Sequence, residues 1–505
     1  MAEAALQLGR RPRRLGGGVD RLTRRYGRRA GRHPRLFLAA CLVGAAAIGG
    51  ACTLRPLLAL MACAVLALIA CVWRWPALAA YLLIAITPLT AGVERGVIPV
   101  LRPNEALAFL LALALASRAL VRWRTGQLPR IRLNRIELGI VLMAVTNSIV
   151  PLLWLRVRGK EIAGDDLQYA IVLWKYLMLY AIVRFSVRND REVWRCLWLS
   201  MGAACIVALI AILQSLNLFG VPGLLATYYA PFGDTGALSI ARGSSTLSLA
   251  AATGDLMIYN LAIACGMWFK GVGRRAVLAV AIALFMLGTL SAGETSTVIG
   301  LLVAVVGMAA VAGSAWILAY FLPAAAAASV VMRPVVSKRL SGFQSAYGLP
   351  VSWIGRLHNL QTYFLPPLFS DWNFLLGVRP AARVTVASQI TGYVWIESGY
   401  IWLLWGGGIP LLASFVFFVY ASLRASWTAA RRAVDATSIA GFAAFVAVIV
   451  MTTLMVFDPH LTYRGAGDAM FFLLALVVAG TGSGNSRTAR PHVPAGSRPQ
   501  SEGEA

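Results

Sequence analysis

Long apolar runs alternate with short polar connections along almost the whole chain. The runs are roughly 16–24 residues long, enough for a helix to cross hydrocarbon. The alternation of about ten residues that marks a membrane β-barrel is absent. About fourteen spans are predicted, near 36–54, 56–73, 76–92, 105–121, 137–155, 168–186, 195–216, 247–269, 275–291, 297–313, 315–332, 397–421, 437–457 and 468–481. The third and fourth are short, and Pro88 predicts a kink in the third. The pattern predicts an all-α polytopic membrane protein.

One polar interval stands apart by its length. Residues 333–396 separate the spans of 36–332 from those of 397–481. They hold Arg333, Lys338, Arg339, Arg356, Arg379 and Arg383, with Asp371 inside and Glu397 at the far edge. A second polar interval, about 217–246, ends in FGDTGALSIARGSSTLS. Residues 1–35 carry eleven arginines and a Gly16–Gly18 patch, and read as a disordered arm. Residues 482–505 are rich in Gly, Ser, Pro and Arg, and read as a disordered tail.

Composition agrees with the pattern. Only 13% of residues are charged and 59% are hydrophobic, against about 25% charged in soluble domains. The net charge of +26 comes from 46 basic and 20 acidic residues. Nucleic acid, anionic lipid and the positive-inside rule each explain a basic excess. The third accounts for most of it. With the amino terminus inside, the inner connections carry Arg118, Arg122, Arg124, Arg130, Arg132 and Arg135, then Arg184, Arg188, Arg191 and Arg195, then Lys270, Arg274 and Arg275, then Arg424, Arg431 and Arg432. The short outer connections are poor in bases or balanced by acids, as with Arg156, Arg158 and Lys160 against Glu161, Asp165 and Asp166. Both termini are then cytoplasmic and the long loop extracytoplasmic, with no nucleic-acid role implied. The loop's basic surplus lies on the unfavoured side, which long loops tolerate, and it suits an anionic ligand at the outer leaflet. The seven cysteines lie in or beside apolar runs without a CxxC pair, so they read as small buried side chains.

Candidate chemistry gathers near the polar intervals. Arg242 in ARGSST and Arg356 in WIGRLHN offer guanidinium forks suited to phosphate or diphosphate. The Gly and hydroxyls after Arg242 would add compact donors. The plainer reading of both arginines is interfacial snorkelling. Glu397 follows YVWI and opens SGYIWLLWGGGIPLL. Desolvation there raises a carboxyl pKa toward the range of a general base. A helix-terminal charge is the simpler alternative. His358, beside Asn359, has no second histidine or acid at ligand spacing, so no metal site is read. His460 in DPHLTYRG reads as structural. Lys175 lies mid-span, and Asp255 in the eighth span is a possible partner lining a polar path. Glu294 in TLSAGETSTVIG reads as a cap. There is no GxxxxGKS phosphate loop and no inverted repeat.

Four segments, in order over about 100–480, resemble the bacterial O-antigen ligase and Wzy-type polysaccharide polymerase superfamily. IARGSSTLSLAAATGDLMIYNLAIA is similar to its R-x-x-G/S-T-F segment. LFMLGTLSAGETSTVIGLLVAVVG is similar to its S-x-S-R hairpin, with Glu294 and Thr295 where an arginine is common. IGRLHNLQTYFLPPLFSDWNFLLGV is similar to the G-R-x-x-x-W loop segment. VWIESGYIWLLWGGGIPLLASFVF is similar to H-N-x-Y-L-x-L-L-x-x-x-G-I-x-G, with Glu397 in the place of the histidine.

The resemblance implies a GT-C-like fold in the bacterial inner membrane, with about fourteen helices and one large outer loop. It implies a glycosyltransferase needing neither metal nor cofactor. The donor would be a glycan on undecaprenyl diphosphate, with a chain-length regulator and a flippase as further partners. Arg242 and Arg356 would hold the diphosphate. Glu397 would be the base, with Arg379, His358, Tyr400 and Lys175 as lesser candidates. ESGY reads as polymerase, joining repeat units of exopolysaccharide, capsule or O-antigen. A ligase passing finished glycan to another acceptor is the alternative. From a different class, so is a transporter or flippase of lipid-linked sugar.

Overall fold

The structure, a computed structural model, describes residues 56–93, 101–126, 133–229, 242–340, 343, 350–386, 392–432 and 434–481. The predicted arm 1–35, span 36–54 and tail 482–505 lie outside the described residues. The chain divides into two compact units, Met1–Ala70 and Cys71–Ala505. The first is described only as the start of the Pro56–Arg74 helix, where Leu57, Leu60, Met61 and Leu66 are exposed.

Every predicted span from 56–73 onward falls on a helix. In the second unit these are Ala77–Thr90, Pro103–Arg124, Arg135–Val157, Gly164–Ala170 continued by Val172–Ser186, and Asp190–Ser215. Then come Ala250–Phe269, Arg275–Ser291, Thr295–Ala312, Trp316–Val331, Gly399–Ala430, Ala436–Leu454 and Ala466–Thr481. Among the described residues, 8 helices are long and apolar enough to cross a membrane, and the other apolar helices are shorter. The protein is an all-α membrane protein.

Polar residues at the helix starts make the boundaries. The Asn134 side chain accepts from the Glu137 amide at 2.9 Å, and Glu137 accepts from the Asn134 amide at 2.9 Å. Asn189 and Asp435 cap the next two such starts in the same way. Within an unbroken helix the backbone groups pair with one another, as hydrocarbon requires. Ala250–Phe269 sits at the centre, with 94% of its most apolar stretch buried. It packs against Asp190–Ser215, Arg275–Ser291, Thr295–Ala312 and Ala436–Leu454.

The long polar interval is folded. It contains the helices Arg333–Leu340, Val351–Asn359, Leu365–Phe369 and Asn373–Leu376, with a π-helical turn at Leu360–Phe364. A short antiparallel ribbon follows, Arg383–Thr385 against Tyr393–Trp395, with Arg383 opposite Trp395. It is the one departure from pure helix among the described residues.

The next helix is interrupted. Within Gly399–Ala430, Gly408 takes φ 63° and ψ −156°, which only glycine adopts without strain. A Cβ there would stand 2.4 Å from the Leu375 carbonyl oxygen. The amide of Val378 donates to the Trp405 carbonyl at 2.7 Å, and that of Arg379 at 3.3 Å. The loop thus takes up backbone groups that the break sets free, and is clamped to the span by them.

Gly408→Ala should therefore lower stability by about 1–3 kcal/mol through strain and the Leu375 clash. Gly159→Ala, at φ 65° with no atom within 4 Å of its Cβ position, should lose less. Thermal unfolding in detergent measures both. Equal losses would show that the break tolerates a side chain.

Candidate functional site

Three distant segments meet at one guanidinium. Arg356 projects from the Val351–Asn359 helix. Glu397 ends the extended segment that leaves the Tyr393–Trp395 strand. Val394 and Ile396 turn inward, so Tyr393, Trp395 and Glu397 share the other face. Asp458 follows the Ala436–Leu454 helix. Arg356 Nε lies 3.5 Å from Glu397 Oε1, and its Nη1 lies 2.5 Å from Asp458 Oδ2. The same Nη1 donates to the Phe457 carbonyl at 3.3 Å. Trp353, one turn earlier, packs its ring on Phe457 at 5.0 Å.

The electrostatics follow from that arrangement. Burial pushes the Glu397 carboxyl above its ordinary value. Asp458 adds to the rise, while Arg356 and the Asn359 side-chain hydrogen bond oppose it. Burial lowers the Arg356 pKa, but Asp458 and Glu397 outweigh it, so the guanidinium is held charged.

Beneath this cluster, His460 Nδ1 lies 2.6 Å from Asp255 Oδ2, with both side chains fully buried. The His460 amide donates to the Asp458 carbonyl at 2.7 Å. The buried pair thereby fixes the turn that carries Asp458. His460, expected from sequence to be structural, is fully buried against Asp255. The role of Asp458 was missed. Its signal was three ionisable residues, Asp458, His460 and Arg464, in the short connection between the last two helices.

Arg242 pairs with Glu294 at 3.0 Å. Glu294 makes no side-chain cap at the Thr295–Ala312 helix, so the capping expectation is corrected to an ion pair. The hydroxyls after Arg242 are engaged within the protein: Ser244 Oγ accepts from the Gln214 side-chain amide at 2.9 Å. Ser245 Oγ donates to the Val207 carbonyl at 2.8 Å, and Thr246 Oγ1 to that of Pro88 at 2.7 Å. Ser248 Oγ donates to Tyr229 at 2.7 Å. They tie the segment to its neighbours. Gly243 is required for this threading, since a Cβ would meet Ser291 Oγ at 2.6 Å. Tyr463, whose ring packs on His460 at 4.5 Å, is buried between these groups: burial first, then Asp458 and Asp255, push its phenol well above the ordinary range, while Arg356 opposes the rise.

The lesser candidates separate. Lys175 lies 3.7 Å from both Glu105 and Asp468. It does not pair with Asp255, whose partner is His460; opposite charges two spans apart each found a nearer partner. His358 is exposed, two residues beyond Arg356 and so on the far face of its helix. The Tyr400 hydroxyl donates to the Thr452 carbonyl at 2.8 Å and joins two spans. Arg379 grips Asp166 with Nε at 2.9 Å and Nη2 at 2.6 Å. Arg383 bonds Asp165 with Nε at 2.6 Å and lies over the Tyr393 ring at 4.6 Å. These two arginines fasten the loop to the start of the Gly164–Ala170 helix. Of the cysteines described, Cys196 is buried while Cys63 is exposed, contrary to the reading of all as buried.

Comparison with protein-family models and with curated proteins gives no match. Among the described residues, no three His, Cys, Asp or Glu side chains gather as metal ligands.

Arg379→Ala would leave the fully buried Asp166 carboxylate without its cation. A loss of about 1–3 kcal/mol is expected, less than for a fully buried pair because Arg379 is 35% exposed and Asp166 keeps the Ala163 and Ala381 amides. Proteolysis of the loop under native conditions reads this, and the double variant Asp166→Asn, Arg379→Ala should recover part of the loss. Wild-type resistance in the single variant would mean that the pair does not hold the loop.

Proposed function

We propose that the chain is a membrane-embedded glycosyltransferase. It joins oligosaccharide repeat units carried on a polyprenyl diphosphate, of the undecaprenyl kind, into a longer polysaccharide. On this reading the work is done at the outer face of a bacterial inner membrane. Both termini are cytoplasmic, and the chain crosses the membrane about fourteen times. The observation that carries the proposal is the 3.5 Å contact between Arg356 and Glu397. It puts a desolvated carboxylate beside a cation, at the junction of a polar loop and an apolar helix.

The chemistry follows from those two groups. Glu397 takes the proton of an acceptor hydroxyl. The hydroxyl oxygen bonds to the anomeric carbon of the donor as the bond from that carbon to the diphosphate oxygen breaks. The diphosphate leaves with the electron pair, its charge met on this reading by Arg356 and Arg242. A protonated Glu397 is neutral and releases its hold on Arg356 at the step where the leaving group needs a cation. Asp458 keeps the guanidinium aimed throughout. The ligase reading uses the same steps with a different acceptor. The flippase reading would use Lys175 and Asp255; Lys175 lies by Glu105 and Asp468, and Asp255 by His460, so the two are not each other's partners.

Glu397→Gln should abolish polymer formation while the protein still inserts. Arg356→Lys should impair it, since a point charge replaces the fork. In the wild type, activity should rise with pH through a window above the usual carboxylate range, because the base works only when ionised. Unchanged polymer length and amount in both variants would remove the assignment.

Deletion of the gene followed by analysis of lipid-linked intermediates separates the readings. Single repeats should accumulate for a polymerase. Long lipid-linked chains would mean a ligase, and repeats trapped on the cytoplasmic leaflet a flippase.

A further inference from the structure

Residues 369–376 turn a corner beside the break at Gly408. The Leu375 carbonyl abuts Gly408, nine residues along the helix that begins at Gly399. At about 1.5 Å per residue, this places the corner roughly 13 Å down the span from its loop-side end. A second helix gives an independent ruler. A Cβ at Gly407 would lie 2.3 Å from the Thr146 carbonyl, and Arg158, twelve residues beyond Thr146, ends that helix on the loop side. The separation is roughly 18 Å. From that end Arg158 reaches to the Asn373 side chain and to the Val378 carbonyl, the latter at 2.6 Å. Two spans therefore agree that the loop backbone descends between their ends.

Between that lowest point at Leu375 and the helix end, where Trp154 Nε1 donates to the Asn373 side chain at 3.4 Å, the corner shows apolar side chains outward. Phe369, Trp372 and Leu375 are 64%, 69% and 41% exposed. Phe374 braces the first two, with ring centroids at 6.2 Å from Phe369 and 5.8 Å from Trp372. Asp371 and Trp372 hold φ of 48° and 59°, a left-handed pair of non-glycine residues. That backbone is unfavourable, and in water so is the exposed indole. Both persist together where the ring has an apolar, partly wet surrounding. The Val351–Asn359 helix repeats the arrangement, with Leu357 exposed and its neighbour Arg356 turned inward to the carboxylates.

We infer that residues 369–375 are a re-entrant corner seated in the lipid interface of the leaflet on the loop's side, with phospholipid as its occupant. Aromatic rings at the end of a span favour that layer. The inference needs neither the proposed chemistry nor the direction in which the chain crosses the membrane. It adds a means of holding the Arg356 centre at the height of the lipid headgroups.

The test uses the full chain in phospholipid nanodiscs, in a background with the native cysteines replaced. Trp372→Cys carries a polarity-sensitive fluorophore, and Thr385→Cys, exposed on the ribbon, serves as the comparison. The label at 372 should lose most of its emission to lipids bearing a nitroxide high on the acyl chain, and little to aqueous iodide. The label at 385 should do the reverse. Iodide quenching at 372 without lipid quenching would put the corner in water and overturn the inference. Quenching by neither would mean that protein covers it, a second copy included, and would overturn it equally. Phe369→Cys reports the same corner should Trp372→Cys fail to fold.

Discussion

A guanidinium at the edge of hydrocarbon has to be paired, and Arg356 is paired twice. Its fork donates in several directions at once, so one side chain can reach Glu397, Asp458 and the Phe457 carbonyl. Those partners come from two segments that the chain otherwise keeps apart. The loop helix, the strand that leads into the Gly399–Ala430 helix and the turn after Leu454 are thereby registered against one another. A lysine could neutralise one carboxylate but could not define the angle between two. The fully buried His460–Asp255 pair extends the same constraint inward, fixing the Asp458 turn against the central helix.

Backbone polarity imposes the second constraint. A helix broken within a membrane leaves amides and carbonyls that water cannot reach. Here the break at Gly408 is filled by the loop, whose Val378 and Arg379 amides donate to Trp405. Arg379 then turns its side chain to Asp166, and Arg383 follows with Asp165. The long interval between spans is thus anchored at three levels: by backbone at the break, by two ion pairs at the neighbouring helix start and by Arg356 at the turn. A segment held in this way keeps Glu397 at a fixed height against Arg356.

The helices were legible in the sequence because their cause is local. Apolar length and polar caps such as Asn134 and Asp435 act within a few residues, and the helices fall where the pattern places them. Arg356 and Glu397 were legible as an unusual base and an unusual acid at the rims of apolar runs. Their partners were not. Asp458 lies 102 residues from Arg356, and Asp255 lies 205 from His460. Nothing in local periodicity distinguishes Lys175 from His460 as the partner of Asp255. The hydroxyls after Arg242 misled for a similar reason. A run of Ser and Thr offers donors to a ligand or to neighbouring helix carbonyls, and only the tertiary packing around Gly243 shows that the carbonyls took them. The folded interior of the loop escaped notice because its helices are shorter than one span and its ribbon is three residues to a strand.

On the proposed chemistry, the identity of the base sets the resting charge of the site. With Glu397 ionised, Arg356 sits between two carboxylates and the trio carries a net negative charge. A histidine in the same place would start neutral and become cationic beside Arg356. Either base raises the charge by one on taking a proton, so both assist a departing diphosphate equally in that step. They differ beforehand, when the donor must approach a site that the glutamate makes more repulsive to phosphate. On that chemistry a second cation would offset the repulsion, and Arg242, held by Glu294 at 3.0 Å, is the one proposed for it. The glutamate and the second arginine are then one arrangement: the acid is tolerable as a base because a cation outside the trio can receive the diphosphate first.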